Sequence, residues 1–233
     1  MKTLYIIPAR GGSKGIPGKN IKYLSGKPLI YYTLDIARKL AADEDICVTT
    51  DCDEIISVVK AYGLHVPFKR PEVLATDTAG TYDVLLHAIE YYEQQGIKYD
   101  NIMLLQPTSP FRTKENLVDI KNLYHKELDM VVSVCESHQS PYFTLFEDNK
   151  DGFLMKSKDG YFQTRQEAPP VYFYNGSLYL INVASLKKTP IHSFSRIKKY
   201  VMDDIHSVDI DSPLDWMICE TIISEGYIVD ENS

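Results

Sequence analysis

The sequence is poor in several things, and each shortage excludes a class of protein. There is one Trp and there are only four Cys, at 47, 52, 135 and 219, with no C-x-x-C pair and no His at zinc spacing. That scatter reads as free thiols rather than a disulfide scaffold or a zinc module. No apolar stretch approaches the roughly 20 residues of a membrane helix. The opening run Met1–Pro8 is shorter than the apolar region of a secretory signal, so a cytoplasmic protein without a membrane partner is expected. No internal repeat or low-complexity tract is present. A net charge of −7 argues against a nucleic-acid binder, which would be basic. Acidic residues are missing altogether from 1–34, which hold six Lys or Arg. Basic residues are missing from 201–233, which hold nine Asp or Glu.

With 233 residues, 44% of them hydrophobic, the chain has enough apolar material for one large globular domain. Its apolar periodicity alternates. Strand-like runs at Thr3–Pro8, Ile46–Thr50, Asn101–Gln106 and Met130–Val134 are separated by helical patterns at Pro28–Ala41, Glu54–Tyr62, Tyr82–Gln95 and Lys114–Lys126. A short β-like run covers His65–Phe68. Alternation of this kind predicts βαβ units on a mostly parallel sheet flanked by helices, an α/β fold. From 140 to 183 the pattern changes to aromatic-rich, short β-like runs, expected to form an inserted β-rich arm within about 138–195 of a single domain over 1–233. A strand at Lys198–Met202 and a helix at Pro213–Ser224 close the chain, with Ser212 as N-cap and Pro213 in the first turn.

The segment Pro8-Ala9-Arg10-Gly11-Gly12-Ser13-Lys14-Gly15-Ile16-Pro17-Gly18-Lys19-Asn20 follows the first strand directly. Ligands of open α/β sheets sit beyond the carboxyl ends of strands. Glycines let backbone N–H groups approach an anion, and Arg or Lys brings the charge. A polyphosphate suits such a loop. It is not a P-loop, since five residues separate Gly12 from Gly18 and Asn20 follows Lys19, and G-x-G-x-x-G is also absent. Near the other end, Asp209 and Asp211 face the same way in an extended segment. Paired carboxylates repel, and a Mg²⁺ ion shared with phosphates would relieve the repulsion. The competing view is that Asp211 and Ser212 only start the last helix, where acids are favoured. Asp215 falls in the first turn and fits that second role.

The loop from Ile7 to Asn20 resembles the signature of the acylneuraminate cytidylyltransferases, the CMP-sialic acid synthetases. Four further stretches resemble segments of that family: Arg70-Pro71-Glu72-Val73-Leu74-Ala75-Thr76-Asp77-Thr78-Ala79, Gln106-Pro107-Thr108-Ser109-Pro110, Asn175-Gly176-Ser177-Leu178-Tyr179 and Ser207-Val208-Asp209-Ile210-Asp211. The resemblance implies a Rossmann-like fold of the nucleotide-diphospho-sugar transferase type, and transfer of CMP from CTP to a 2-keto sugar acid with release of pyrophosphate. It implies nucleotide contacts from Arg10, Gly11, Gly12, Ser13, Lys19, Asn20, Arg70, Ala79 and Thr81. Acceptor contacts would come from Gln106, Thr108, Ser109, Arg165, Asn175 and Tyr179. Arg10, Lys19 and Asp211 would carry catalysis, and Asp209 with Asp211 would hold Mg²⁺. It also implies a homodimer whose arm crosses to the partner. Two departures stand out: Phe173 replaces a family Arg, and 191–195 lacks two adjacent aromatics. Legionaminic, pseudaminic and other 2-keto acids therefore stay open as acceptors beside N-acylneuraminate, and a non-catalytic nucleotide sensor is the rival of a different class.

Overall fold

The structure, a computed structural model, describes residues 1–76 and 78–228. Asp77 of the second resembling segment and the acidic tail residues Asp230 and Glu231 lie outside the described residues.

The chain forms β1 (Thr3–Pro8), a hairpin of β2 (Tyr23–Leu24) and β3 (Lys27–Pro28), α1 (Leu29–Arg38), β4 (Ile46–Thr49), α2 (Asp53–Ala61), α3 (Thr81–Gln94), β5 (Asn101–Leu105), α4 (Lys114–Leu123) and β6 (Met130–Glu136). It continues with β7 (Phe146–Asp148), β8 (Leu154–Lys156), β9 (Tyr172–Asn182), α5 (Val183–Lys188), β10 (Ile197–Val201) and α6 (Pro213–Ser224). Six strands make the central sheet in the order β10-β6-β9-β5-β1-β4. The pairs β1–β4, β1–β5 and β6–β10 are parallel, and β9 runs antiparallel between β5 and β6.

Side-chain alternation on buried strands explains the layering. On β1, Tyr5 and Ile7 pack with Ile30 and Leu34 of α1, Ile55 and Val59 of α2, and Leu117 and Ile120 of α4. Leu4 and Ile6 point to the opposite face, against Leu85, Ala88, Ile89 and Tyr92 of α3 and Leu186 of α5. Strands buried on both faces read as continuous apolar runs, as β1, β4 and β5 do. A third cluster joins the chain ends: Ile16 of the basic loop packs with Ile210 and with Trp216 and Cys219 of α6.

Three expectations are corrected. The aromatic-rich stretch divides in two. The two-stranded β7–β8 unit stands apart, whereas Tyr172–Asn182 is an interior strand of the main sheet, so the separate segment ends before Tyr172. The run at His65–Phe68 forms no strand, and nearby an isolated bridge pairs Thr50 with Lys69. The helix foreseen over Pro28–Ala41 ends at Arg38, because Lys39 and Leu40 turn back onto Ile36 and Ala37. All four cysteines are free, three of them buried. Among the described residues no helix is long and apolar enough to cross a membrane.

Candidate functional site

A cavity of about 420 Å³ opens beyond the carboxyl ends of β1 and β5. Arg10, Ser13, Lys14, Gly15, Lys19 and Asn20 line one wall. Arg70, Thr76, Ala79 and Thr81 line a second, and Gln106, Thr108 and Asp211 a third. Four stretches of a chain of 233 residues, at 8–20, 70–84, 106–108 and Asp211, thus supply a single concave surface, in the place where α/β sheets bind ligands.

The basic loop is held from below. The Asn20 Nδ2 donates to the Arg10 carbonyl at 3.0 Å, and Ile16 anchors the loop in the α6 cluster. The Gly11 N–H donates to Asp51 at 3.0 Å and the Ser13 N–H to the Gly11 carbonyl at 3.1 Å. These two amides shape the loop itself instead of facing the cavity, and Gly11 and Gly12 are not among the lining residues. Gly15 is required by a close approach: a Cβ there would collide with the Asp211 carbonyl oxygen. Loop and acidic segment therefore touch backbone to backbone.

Lys19 spans the same seam. It is buried, and its Nζ donates to the Ile210 carbonyl and to Asp211 Oδ1 at 3.1 Å. The Asp211 side chain is 79% exposed on the cavity side of that pair. Helix capping is done by other groups. The Ser212 hydroxyl accepts from the Asp215 N–H, and Asp215 Oδ2 accepts from the N–H groups of Ser212 and Asp211. Capping therefore falls to Ser212 and Asp215, while Asp211 lines the cavity.

Asp209 is set deeper. Its Oδ1 is buried without a hydrogen-bond partner, and a Cβ on Gly176, which has φ of 75°, would lie 3.2 Å from its Oδ2. Burial raises its pKa, and repulsion from Asp211 adds to that, while the bond from Thr108 and the charges of Lys19 and Arg112 oppose it. An orphaned carboxylate oxygen beside a second carboxylate suits a hard divalent cation. Among the described residues no cluster of three His, Cys, Asp or Glu could hold a metal alone. The remaining ligands would have to be phosphate and water, the usual arrangement for Mg²⁺.

Arg70 is buried at the back of the second wall, where its Nε donates to the Thr49 hydroxyl at 3.1 Å and an Nη to the Thr49 carbonyl. Burial lowers its pKa, against the pull of Asp51. Tyr179 of β9 is not among the lining residues; its hydroxyl is pushed up to about 12 by burial and by the charge of Asp209.

Besides Tyr179, three residues expected on the acceptor side do not line this cavity. Ser109 is fully buried behind it. Asn175 is buried in a polar network, accepting from Ser133 Oγ at 2.6 Å and donating to Ser207 Oγ at 2.9 Å. Both of its amide atoms are used within the core, so it ties β6, β9 and the 207 segment together. Arg165 is exposed in a short turn, Arg165–Glu167, and lines a separate cavity of about 700 Å³ with His138, Pro170, Asp203 and Asp204. The two cavities share no lining residue.

Sequence reasoning missed Arg112, whose guanidinium is buried behind Gln106 and Ser109, and the cavity position of Thr76. A charged residue sandwiched between Phe111 and a helix cap was the available signal.

Comparisons with known proteins agree with this geometry. The cytidylyltransferase family model matches residues 4–209. The CMP-N,N'-diacetyllegionaminic acid synthase of Legionella pneumophila is 33% identical over 224 residues, covering 96% of this chain and 97% of that protein. An N-acylneuraminate cytidylyltransferase of Streptococcus agalactiae is 34% identical over 93% of this chain, which spans 52% of that longer protein. In fold, the solved structure of a CMP:2-keto-3-deoxy-manno-octonic acid synthetase complexed with CTP matches with a TM-score of 0.69 at 18% identity, over 97% of this chain and 99% of that one. On the family match over most of its length and on relatives above 30% identity from end to end, the chain belongs to the cytidylyltransferase family.

Proposed function

We propose that this protein transfers CMP from CTP to the anomeric 2-hydroxyl of a nine-carbon 2-keto sugar acid of the N-acylneuraminate type, releasing pyrophosphate. The observation that carries the reading is the meeting of Lys19 with Asp211 and the Ile210 carbonyl at the mouth of a cavity that the acid-free loop lines. Cations from one end of the chain and carboxylates from the other converge where a triphosphate would need both.

Arg10 and Lys19 would hold the phosphates, and the wall of Arg70, Ala79 and Thr81 would take the base. Gln106, Thr108 and Tyr179 would orient the acceptor so that its hydroxyl oxygen approaches the α-phosphorus in line with the leaving pyrophosphate. Asp209 and Asp211 would hold Mg²⁺, which supplies neutralisation of phosphate charge when bound. Such transfers depend mainly on positioning and on charge stabilisation, and need no protein nucleophile.

A second acceptor is favoured by two observations. The Legionella relative matches end to end, at 97% of its length. Phe173, 48% exposed, also places an apolar ring where the resemblance would put a cation. N,N'-diacetyllegionaminate therefore stands beside N-acetylneuraminate. The experiment is a grid of four nucleoside triphosphates against these acids, pseudaminate and 3-deoxy-octulosonate, with Mg²⁺, read as pyrophosphate release. Turnover with CTP and one nine-carbon acid is expected. No turnover with CTP for any acid would defeat the reading and favour a nucleotide sensor.

The resemblance also supports a homodimer built on the arm. Phe146 and Leu154 on one face of β7–β8 are 45% and 70% exposed, and Met155 on the other is 56% exposed, apolar surface that a second arm would cover. Light scattering during size exclusion would show a dimer at micromolar concentration, and a monomer would refute it.

A further inference from the structure

Arg112 is 2% exposed and stands just before the Thr113 cap of α4. Its Nε donates to the Ser109 carbonyl at 3.0 Å, and one Nη donates to that carbonyl at 2.6 Å and also to the Gln106 carbonyl. The other Nη donates to the Ser177 carbonyl at 3.0 Å. Each of these acceptors is a main-chain oxygen. A guanidinium is a rigid planar fork of donors that stays charged, so burying one is costly unless its geometry is needed. Burial pulls its pKa down to about 9, while the charge of Asp209 pushes it up.

The fork joins two segments far apart in the chain: the turn at 106–109 and β9 at Ser177. The turn carries Gln106 and Thr108 on the cavity. Tyr179 lies two residues beyond Ser177, on the same face of the strand. From the turn, the contacts continue toward the carboxylates. The Thr108 carbonyl accepts from the Ile210 N–H at 2.9 Å, the Thr108 side chain bonds Asp209, and the Ile210 carbonyl accepts from Lys19. The hydroxyls of Ser109 and Ser177 are buried without partners, so the fork on their carbonyls, and not their own side chains, holds these two residues. The basic loop has separate anchors at Asn20 and Ile16.

We propose that Arg112 is a positioning residue for the acceptor, clamping the 106–109 turn to β9 so that Gln106, Thr108 and Tyr179 stand in register beside Asp209. The inference rests on reading the cavity as a site for CTP and a sugar acid. A purely structural arginine would lower stability without telling the two substrates apart. A clamp on one wall must tell them apart.

The test uses Arg112→Lys, which keeps the charge and loses the fork, and Arg112→Gln, which keeps two donors and loses the charge. In steady-state kinetics, KM for the sugar acid should rise about tenfold or more in both, while KM for CTP stays within about twofold. Hydrogen exchange by mass spectrometry should quicken at 106–113 and 173–180, with 8–20 unchanged. Equal shifts in both KM values, or a lower Tm with wild-type exchange in the two segments, would overturn the clamp. Should Arg112→Gln fail to fold, Arg112→Lys decides alone. If the wild-type protein turned over no sugar acid, the transfer reading would fall. The exchange measurement would still decide for or against the clamp.

Discussion

The two sides of the cavity are built in opposite ways. On the proposed reading of the two sides, the nucleotide side comes largely from one continuous stretch, Arg10 to Asn20, whose charges and glycines stand in sequence order. Its shape is set by local bonds such as Asn20 to the Arg10 carbonyl. The acceptor side is assembled from the turn at 106–109, the strand at 177–179 and the segment at 209–211, joined by a buried guanidinium and by Thr108. A contiguous loop can be recognised as a motif. An assembled wall exists only after β9 has inserted between β5 and β6. The first leans on a few distant anchors, such as Ile16 on α6 and Gly11 on Asp51, and the second on the pairing of the sheet itself.

The sharpest way to break this contrast is at the seam where the sides meet. Lys19→Ala should lower kcat/KM by about 10²-fold or more, since on the proposed reading its charge would serve the phosphates as well as the Asp211 segment it bonds. A near wild-type rate would remove Lys19 from catalysis. Gly15→Ala should cost nearly as much, because the new methyl must push the loop away from the Asp211 carbonyl. Raised KM for CTP in a folded protein is the expected signature, and unchanged kinetics would refute the close approach.

Two neighbouring carboxylates separate chemistry from folding. Asp211→Asn should raise the Mg²⁺ concentration needed for half-maximal rate severalfold, with Tm nearly unchanged, because it is exposed and makes no cap. Asp215→Ala should do the reverse, lowering stability by about 1 kcal/mol through the lost capping box while leaving the metal demand alone. If Asp211→Asn unfolds the protein at unchanged metal demand, the assignment of these two residues is reversed.

The smallest effect lies away from the cavity and depends on pH. Burial would raise the pKa of Asp129, yet the N–H groups of Arg196 and Ser195, the Ser185 hydroxyl and the Arg196 guanidinium hold it down to about 2. A carboxyl depressed on folding stabilises the protein above its unfolded pKa, near about 4, and loses that contribution as pH falls through its folded value. Asp129→Asn should therefore lower Tm at pH 7 by a few degrees, with the gap to wild type closing below about pH 3. A gap independent of pH would show that the hydrogen bonds, not the charge, matter.

Much of this was legible in the chain. The all-apolar β1, the amphipathic α3 and the Ser212-Pro213 start of α6 carry strong local signals, and the structure has each within a residue or two of its expected bounds. Tyr172–Asn182 was not legible as a core strand, because aromatic residues at its exposed end mask the buried run from Leu178 to Ile181. Asn175 and Ser109 are expected at the acceptor only through the resemblance, and nothing in their local sequence marks them as core residues. Their burial follows from β9 pairing with both neighbours, which no local pattern encodes. Arg165 is separated from Gln106 and Thr108 within one chain because the segment between β6 and β9 folds away from the first cavity.

The shortages from which the sequence was read divide along the same line. The lack of acids in 1–34 and of bases in 201–233 is a property of the chain alone, and it set one end of the chain positive and the other negative. The tertiary structure decided that the two ends meet, through Ile16 on α6, Gly15 against Asp211 and Lys19 on Ile210. Charge can be written into a sequence locally. Proximity between residues separated by 191 positions needs a core to enforce it, and here that core is the apolar packing of α6 against the basic loop.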